Sequence, residues 1–375
     1  MLKVAPKNGH GDIQKEYRQR AARENLLPIK ITPFYQKKID EEAAALGSEG
    51  GPLTRGIYPV EEKLGLRAPS EVPDWVDDRA NMPSEARGIF IQKYRDRVLF
   101  TPTSTCAAHC LYCFRQDVLG EQRGTGGPPA LEQQLVVLVD HLKKHPEIQE
   151  VIFSGGDPLT LSMAELEFAF TEIGKVKSVT QLRVHSRAPI FAPQTLKENK
   201  MELLARHKVR LYFHIIHPYE ICAEIEKVIG DARKAGIRLY NHFPLLRKIN
   251  DHADVLLRLM TKLDALGVIN ASVYVPEPIH YSAAYRISYD RMCRLIDEVI
   301  ARSPSWINAF RFCLDSPYGK VRRENLLLRE REKGLLVFQR EGQKIIYPDF
   351  PEEMDAPGDI KTLLWKDYAP SVRDR

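Results

Sequence analysis

The sequence predicts an α/β fold: a partial (βα)6 barrel over residues 91–320, a mainly helical extension over 1–90 and a short C-terminal segment over 321–375. Three observations predict it. Short β-rich apolar runs alternate with amphipathic stretches from residue 95 onward. The hydrophobic period changes from about 2 to about 3.6 at each boundary, with glycine often closing the helical stretch. Beyond the first run, the pattern recurs roughly every 30 residues, the spacing of successive βα units feeding a parallel sheet.

The strand runs, in order, are RVLFTP (97–102), EVIFSG (150–155), QLRVHS (181–186), VRLYFH (209–214), IRLYNH (237–242) and ASVYVP (271–276), with AFRFCL (309–314) after them. Each is short and rich in Val, Ile, Phe and Tyr, as strands are. Between them lie LEQQLVVLVDHLKKH, MAELEFAFTEIGKV, AEIEKVIGDARKAG, ADVLLRLMTKLDALG and YDRMCRLIDEVIARS, each with one apolar helical face. Six units are too few for a closed eight-fold barrel, so the sheet is expected to stay open. Polar residues end these strands, where parallel α/β folds place their chemistry. The first 90 residues are rich in Pro, Glu and Arg and show no strand repeat. Near the C-terminus, KGLLVFQREGQKIIYPDF resembles a hairpin turning at Glu341-Gly342.

The chain is long enough to bury a substantial core, and its 43% apolar and 28% charged residues are ordinary for a globular protein. A net charge of +5 without a long basic block does not point to nucleic acid. The opening residues lack the apolar core of a secretory signal, and no stretch approaches the roughly 18 apolar residues of a membrane span. Cys222, Cys293 and Cys313 are solitary and read as reduced core thiols, so a cytoplasmic protein is expected.

Cys106, Cys110 and Cys113 crowd into TSTCAAHCLYCFRQ. Three thiolates on one loop can hold three irons of a [4Fe–4S] cluster and leave the fourth open, whereas a cluster closed by four cysteines only moves electrons. The CxxxCxxC spacing is the one by which radical S-adenosylmethionine (SAM) enzymes are recognised. There the open iron chelates SAM, whose reductive cleavage yields a 5′-deoxyadenosyl radical. The alternatives are scattered core thiols or a zinc site. Zinc sites usually pair CxxC or HxxxH groups, and no second pair lies nearby.

ITPFYQKKID, KYRDRVLF, TSTCAAHCLYCFR, VIFSGGDPL, HSRAPIFAPQ, FHIIHPYEI and NHFPLLRKIND follow one another in the chain. In that order they resemble the segments of the lysine 2,3-aminomutase family, from about residue 30 to about residue 320. The resemblance implies a 1,2-amino shift on a free amino acid using SAM and pyridoxal phosphate (PLP). It also implies a reductant such as flavodoxin or ferredoxin, with no nucleic acid or membrane partner; a homodimer is left open.

On the SAM side, the resemblance implies roles for Ser154, Gly155, Gly156 and Asp157, the alternative for Asp157 being the cap of a tight turn. Ser186 and Arg187 follow the third strand, where Arg187 can pair the SAM carboxylate. His214 falls on a family motif; His242 stands where the family usually has an amide. Tyr274 matches a family tyrosine near the cofactors, or is an ordinary core aromatic. For PLP, Lys320 is the lysine that binds the cofactor, and Lys93, Tyr94 and Arg97 match the phosphate-side cluster. The loop from Asp315 to Lys320 is shorter than the family's glycine-rich loop and holds a single glycine, which leaves an exposed Lys320 as the alternative. Arg115 matches the arginine that holds the substrate α-carboxylate, or is a solvated charge. Glu277 and Asp315 align with the acidic pair that grips the side-chain ammonium. Two buried carboxylates are costly unless a cation lies between them, which points to a basic amino acid: lysine first, ornithine or arginine next.

The family's C-terminal zinc cysteines have no counterpart, since no cysteine follows Cys313. No structural zinc and no zinc-stapled tetramer are therefore expected. Three rivals remain. One is a relative that modifies a lysine on a protein, the second a family member that has lost PLP, and the third an iron–sulfur carrier that does not cleave SAM.

Overall fold

A computed structural model describes residues 10–24, 26–68, 71–86, 88–124 and 126–368. One sheet holds β1 (Phe90–Tyr94), β2 (Arg97–Thr103), β3 (Glu150–Gly155), β4 (Gln181–Ser186), β5 (Arg210–Phe213), β6 (Arg238–Pro244), β7 (Ile269–Tyr274) and β8 (Arg311–Cys313), in that spatial order. β2 through β8 run parallel to one another. A helix fills each crossover: Leu131–Lys144, Met163–Gly174, Glu198–Arg206, Ala223–Lys234, Ala253–Ala265 and Tyr289–Arg302. Parallel crossovers share one hand, so sequential strand order puts all six helices on the same face. The sheet's other face becomes a lumen, open between the edge strands β1 and β8.

Strand parity separates the two faces, because successive side chains point to opposite sides. Val98, Phe100, Val151, Phe153, Leu182, Val184, Leu211, Phe213, Leu239 and Val273 are buried against the helices. Their alternates Leu99, Ile152, Arg183, His185, Tyr212, Tyr240, His242, Ser272 and Tyr274 line the lumen. The helices answer with one apolar face each; on Leu131–Lys144 the buried positions are Leu131, Gln134, Leu135, Leu138, His141 and Leu142.

Three details differ from the sequence reading. β1 was not expected; it pairs antiparallel with β2 across a tight reversal. The N-terminal extension holds helices at His10–Arg23, Pro33–Leu46, Pro52–Ile57 and Glu61–Gly65, but residues 71–82 form an irregular strap rather than a helix. Pro73 and Pro83 bracket that strap, and its acidic run has no apolar period to support a helix. The C-terminal hairpin is present, but it gains a strand. β10 (Leu335–Arg340) and β11 (Gln343–Pro348) turn through Glu341 and Gly342, both at positive φ. β9 (Leu326–Glu330) adds a third strand beside β10.

No helix among the described residues is long and apolar enough to cross a membrane.

Candidate active site

The loop after β2 carries the three cysteines, and the N-terminal extension grips its backbone. Lys30 Nζ donates to the Cys106 carbonyl at 2.6 Å. The His109 amide donates to the Lys30 carbonyl at 2.9 Å and the Leu111 amide to the Gly56 carbonyl at 2.9 Å. Lys63, 1% exposed, donates to the Leu111 carbonyl at 2.6 Å.

From the other side, the end of β3 closes on the same loop. The Gly156 amide donates to the Thr103 carbonyl at 2.8 Å, and the Asp157 amide to the Thr105 carbonyl at 2.7 Å. Gly155 has φ +94°, and a Cβ on Gly156 would lie 2.5 Å from the Thr105 carbonyl oxygen. Both glycines thus admit the cysteine loop. Gly156→Ala is expected to displace it, costing about 1–3 kcal/mol of stability and lowering iron content after reconstitution. Gly230→Ala, in a helix with open space around it, is the control and should retain full iron.

Cys106, Cys110 and Cys113 face a cavity of about 230 Å3. Burial pushes all three thiols up, Cys113 to about 12, so ligation must release their protons. Cys222, Cys293 and Cys313 do not line that cavity. Among the described residues no group of three His, Cys, Asp or Glu could hold a single metal ion. Three thiols on one loop with no fourth beside them suit a cluster with one open iron.

The expected SAM-side residues Ser154, Gly155, Gly156, Asp157, Ser186, Arg187, His214, His242 and Tyr274 all line this same cavity. Two of them are already engaged by the protein. The Asp157 carboxylate accepts from Ser186 Oγ at 2.7 Å, the Arg187 amide at 2.7 Å, the Ala188 amide at 2.6 Å and the Leu159 amide at 3.1 Å. It is the cap of the β3 and β4 turns, the alternative weighed above, and has no acceptor position left for a ligand ammonium. Arg187 donates to Glu220 at 2.6 Å and to the His214 carbonyl at 2.7 Å, so both of its Nη groups are tied to the protein, while its buried Nε has no partner. Glu220, fully buried, also accepts from Tyr35 Oη at 2.6 Å. Burial and neighbouring cations keep His185, His214 and His242 neutral, His242 being pushed down to about 3.

A second cavity of about 420 Å3 continues toward the N-terminal ends of the strands. The two share Leu99, Arg115, His185, His242, Tyr274, Asp315 and Lys320, which makes them one lumen. Lys93, Tyr94 and Arg97 line the lower part, as do Arg183 and Arg311, which the sequence reading did not single out. Each sits on the lumen-facing parity of an otherwise apolar strand, and that was the available signal.

Lys320 reaches the lumen despite the shortened loop. Leu314 and Val321 bridge antiparallel, closing residues 314–321 as a hairpin. Gly319 has φ +97°, and a Cβ there would lie 2.8 Å from Tyr94 Oη. The Lys320 amide donates to that same hydroxyl at 2.8 Å. The side chain folds back over the Tyr274 ring, 5.1 Å from its centroid, and its Nζ lies 2.9 Å from Asp315. Asp315 is therefore the partner of Lys320 here. Lys93 is likewise engaged, by the Val76 carbonyl and, at 3.0 Å, by Asp78.

Glu277 lines the upper cavity. Burial first, then the charge of Asp315, pushes its carboxyl up to about 7. A carboxyl raised above its ordinary value lends stability at acid pH and loses it as pH rises through the folded value. Glu277→Gln is therefore expected to match the parent near pH 4.5 and exceed it at pH 8.5 by about 1–2 kcal/mol. Urea unfolding at both pH values measures this; an equal difference at both would refute it.

Residues 100–260 match the radical SAM superfamily. The matched stretch is a radical SAM domain. Its superfamily implies a [4Fe–4S] cluster and SAM, for which the cysteine loop and upper cavity supply a fitting donor set, together with an external reductant. The chain is 28% identical to the L-lysine 2,3-aminomutase of Escherichia coli over 257 residues, 68% of this chain and 72% of that one. It is also 28% identical to that of Methanococcus maripaludis over 296 residues, 79% of this chain and 65% of the other. Among solved structures, a radical SAM methyltransferase from Sphaerobacter thermophilus matches at 16% identity with a TM-score of 0.41, covering 62% of this chain and 72% of that one.

Proposed function

We propose that this radical SAM enzyme is a PLP-dependent 2,3-aminomutase acting on a free basic amino acid, lysine first and ornithine or arginine next. One observation carries the reading: a single lumen joins the cysteine loop, the amine of Lys320, the guanidinium of Arg115 and the carboxylates Glu277 and Asp315. The cation set suits a phosphate-bearing cofactor. Lys93, Arg97, Arg115, Arg183, Arg311 and Lys320 line the lower cavity against two carboxylates, Asp78 and Asp315.

When bound, the cluster and SAM supply a hydrogen-abstracting radical and PLP supplies an electron sink for the migrating nitrogen. The chain's own residues do the rest. Arg115 receives the substrate α-carboxylate as a fork. Glu277 meets the side-chain ammonium, which favours its ionised form. Lys320 would hold the cofactor aldehyde, and Asp315, 2.9 Å from its Nζ, is the carboxylate within hydrogen-bond reach of that amine. Tyr94 holds the Lys320 backbone, and Arg97 with Arg183 and Arg311 holds the phosphate.

Borohydride reduction of anaerobically purified, PLP-loaded protein, followed by peptide mass spectrometry, tests this. A pyridoxyl adduct on Lys320 is the expected result. No adduct there, with SAM cleavage intact, would overturn it and favour a radical enzyme without PLP. One observation already leans that way: Asp315 and Tyr274 hold the Lys320 amine firmly protonated.

A further inference from the structure

The strap over residues 71–82 runs between β1 and the segment after β8 and touches several parts of the site at once. Trp75 Nε1 donates to the Asp315 carbonyl at 3.0 Å, and Asn81 donates to the Pro317 carbonyl at 3.2 Å. Asp78, 1% exposed, sits between two cations. Its Oδ2 accepts from Arg115 Nε at 2.7 Å, and its Oδ1 lies 3.0 Å from Lys93 Nζ. Burial alone would raise this carboxyl, but Arg115 and Lys93 override it and keep it below its ordinary value. A buried carboxylate so paired is ionised and fixed.

The geometry fixes which edge of Arg115 is free. A guanidinium can meet a carboxylate along its Nε edge or along its Nη edge. Asp78 occupies Nε. Of the Nη edge, Nη1 makes one long hydrogen bond to Ser154 Oγ at 3.4 Å, and the group lines both cavities. The Phe114 ring lies 4.4 Å below the guanidinium and limits its tilt. Without Asp78, Arg115 could rotate its fork onto the carboxylate of Asp315, whose charge it already feels.

We propose that Asp78 is a positioning residue: it holds Arg115 by Nε so that the Nη edge faces the lumen as a receptor for a ligand carboxylate. The inference rests on the amino-acid reading above and adds the residue that makes the receptor selective for the carboxylate end. No motif in the sequence marks Asp78, because both of its partners belong to other elements.

Calorimetry with the reconstituted, SAM-bound protein tests it, with the cluster left oxidised so that SAM stays intact. The probes are lysine and its decarboxylated diamine, cadaverine. In Asp78→Asn, lysine affinity is expected to fall tenfold or more while cadaverine affinity stays within twofold. The double variant Asp78→Asn, Lys93→Met removes one charge of each sign, keeps the parent's local net charge and should show the same selective loss. Unchanged lysine affinity, or equal loss for both probes, would overturn the proposal, the latter by showing a merely structural role. If the parent protein distinguishes lysine from cadaverine yet catalyses no amino shift, the aminomutase reading fails and Asp78 keeps its role. If the parent makes no such distinction, the proposal falls whatever reaction the enzyme performs.

Discussion

On the proposed function, Lys320→Ala is expected to lower amino-shift turnover by at least about 10³-fold, since it would remove the covalent anchor of the cofactor rather than a binding contact. Reductive cleavage of SAM should stay within about twofold of the parent, because the cysteine loop is held by the N-terminal extension and the end of β3, with no bond from Lys320 to either. The variant leaves Asp315 buried near Glu277 without its cation, so one of the two will take up a proton. Lys320→Ala combined with Asp315→Asn removes that charge and provides the folding control. The decisive readings are product formation and 5′-deoxyadenosine release from the same samples. Equal loss of both would mean that Lys320 supports the barrel mouth as a whole. Retained amino-shift activity would dismiss it as the cofactor lysine.

The second large effect concerns stability. Glu220 accepts from Arg187 and Tyr35 and from the backbone amide of Ile216 at 2.8 Å. This one carboxylate ties the helix Pro33–Leu46 to the ends of β4 and β5. Removing one partner of a buried ion pair leaves the other uncompensated and typically costs 3–5 kcal/mol, so Glu220→Ala should lose about 4 kcal/mol. Arg187 lines the cysteine-bearing cavity and is held there by Glu220, so iron retention should fall along with the melting temperature. Replacing both, as Arg187→Met with Glu220→Gln, should recover much of the stability, since no charge is then buried alone. Denaturant unfolding of the two variants separates the cases. A loss below about 1 kcal/mol for Glu220→Ala would place the pair among weakly coupled surface-like ion pairs.

Much of this molecule is legible from residue patterns. The strand runs fall on β2 through β8, since alternation with period two and helices with period 3.6 are local properties of the chain. The same parity marks Tyr274 and His242 as lumen residues, and the strand ends collect Ser154, Ser186 and His214 at one mouth. The cysteine loop announces itself by spacing alone. β1 escaped because five residues beginning FIQKY, next to a helical extension, carry little signal. The strap escaped because proline and aspartate mark an absence of regular structure without saying what it covers.

Residue types and spacing by themselves thus determined the barrel, the position of the cluster loop and which side chains enter the lumen. Only the tertiary structure decided how those side chains are engaged. Asp157 turned out to be a cap, Arg187 a tie to Glu220, and Lys93 and Arg115 the two partners of Asp78. Periodicity is encoded between neighbours a few residues apart. An ion pair such as Asp78 with Arg115 joins segments that meet only after the sheet has curled, and desolvation in the closed lumen then fixes which partner each charge must take.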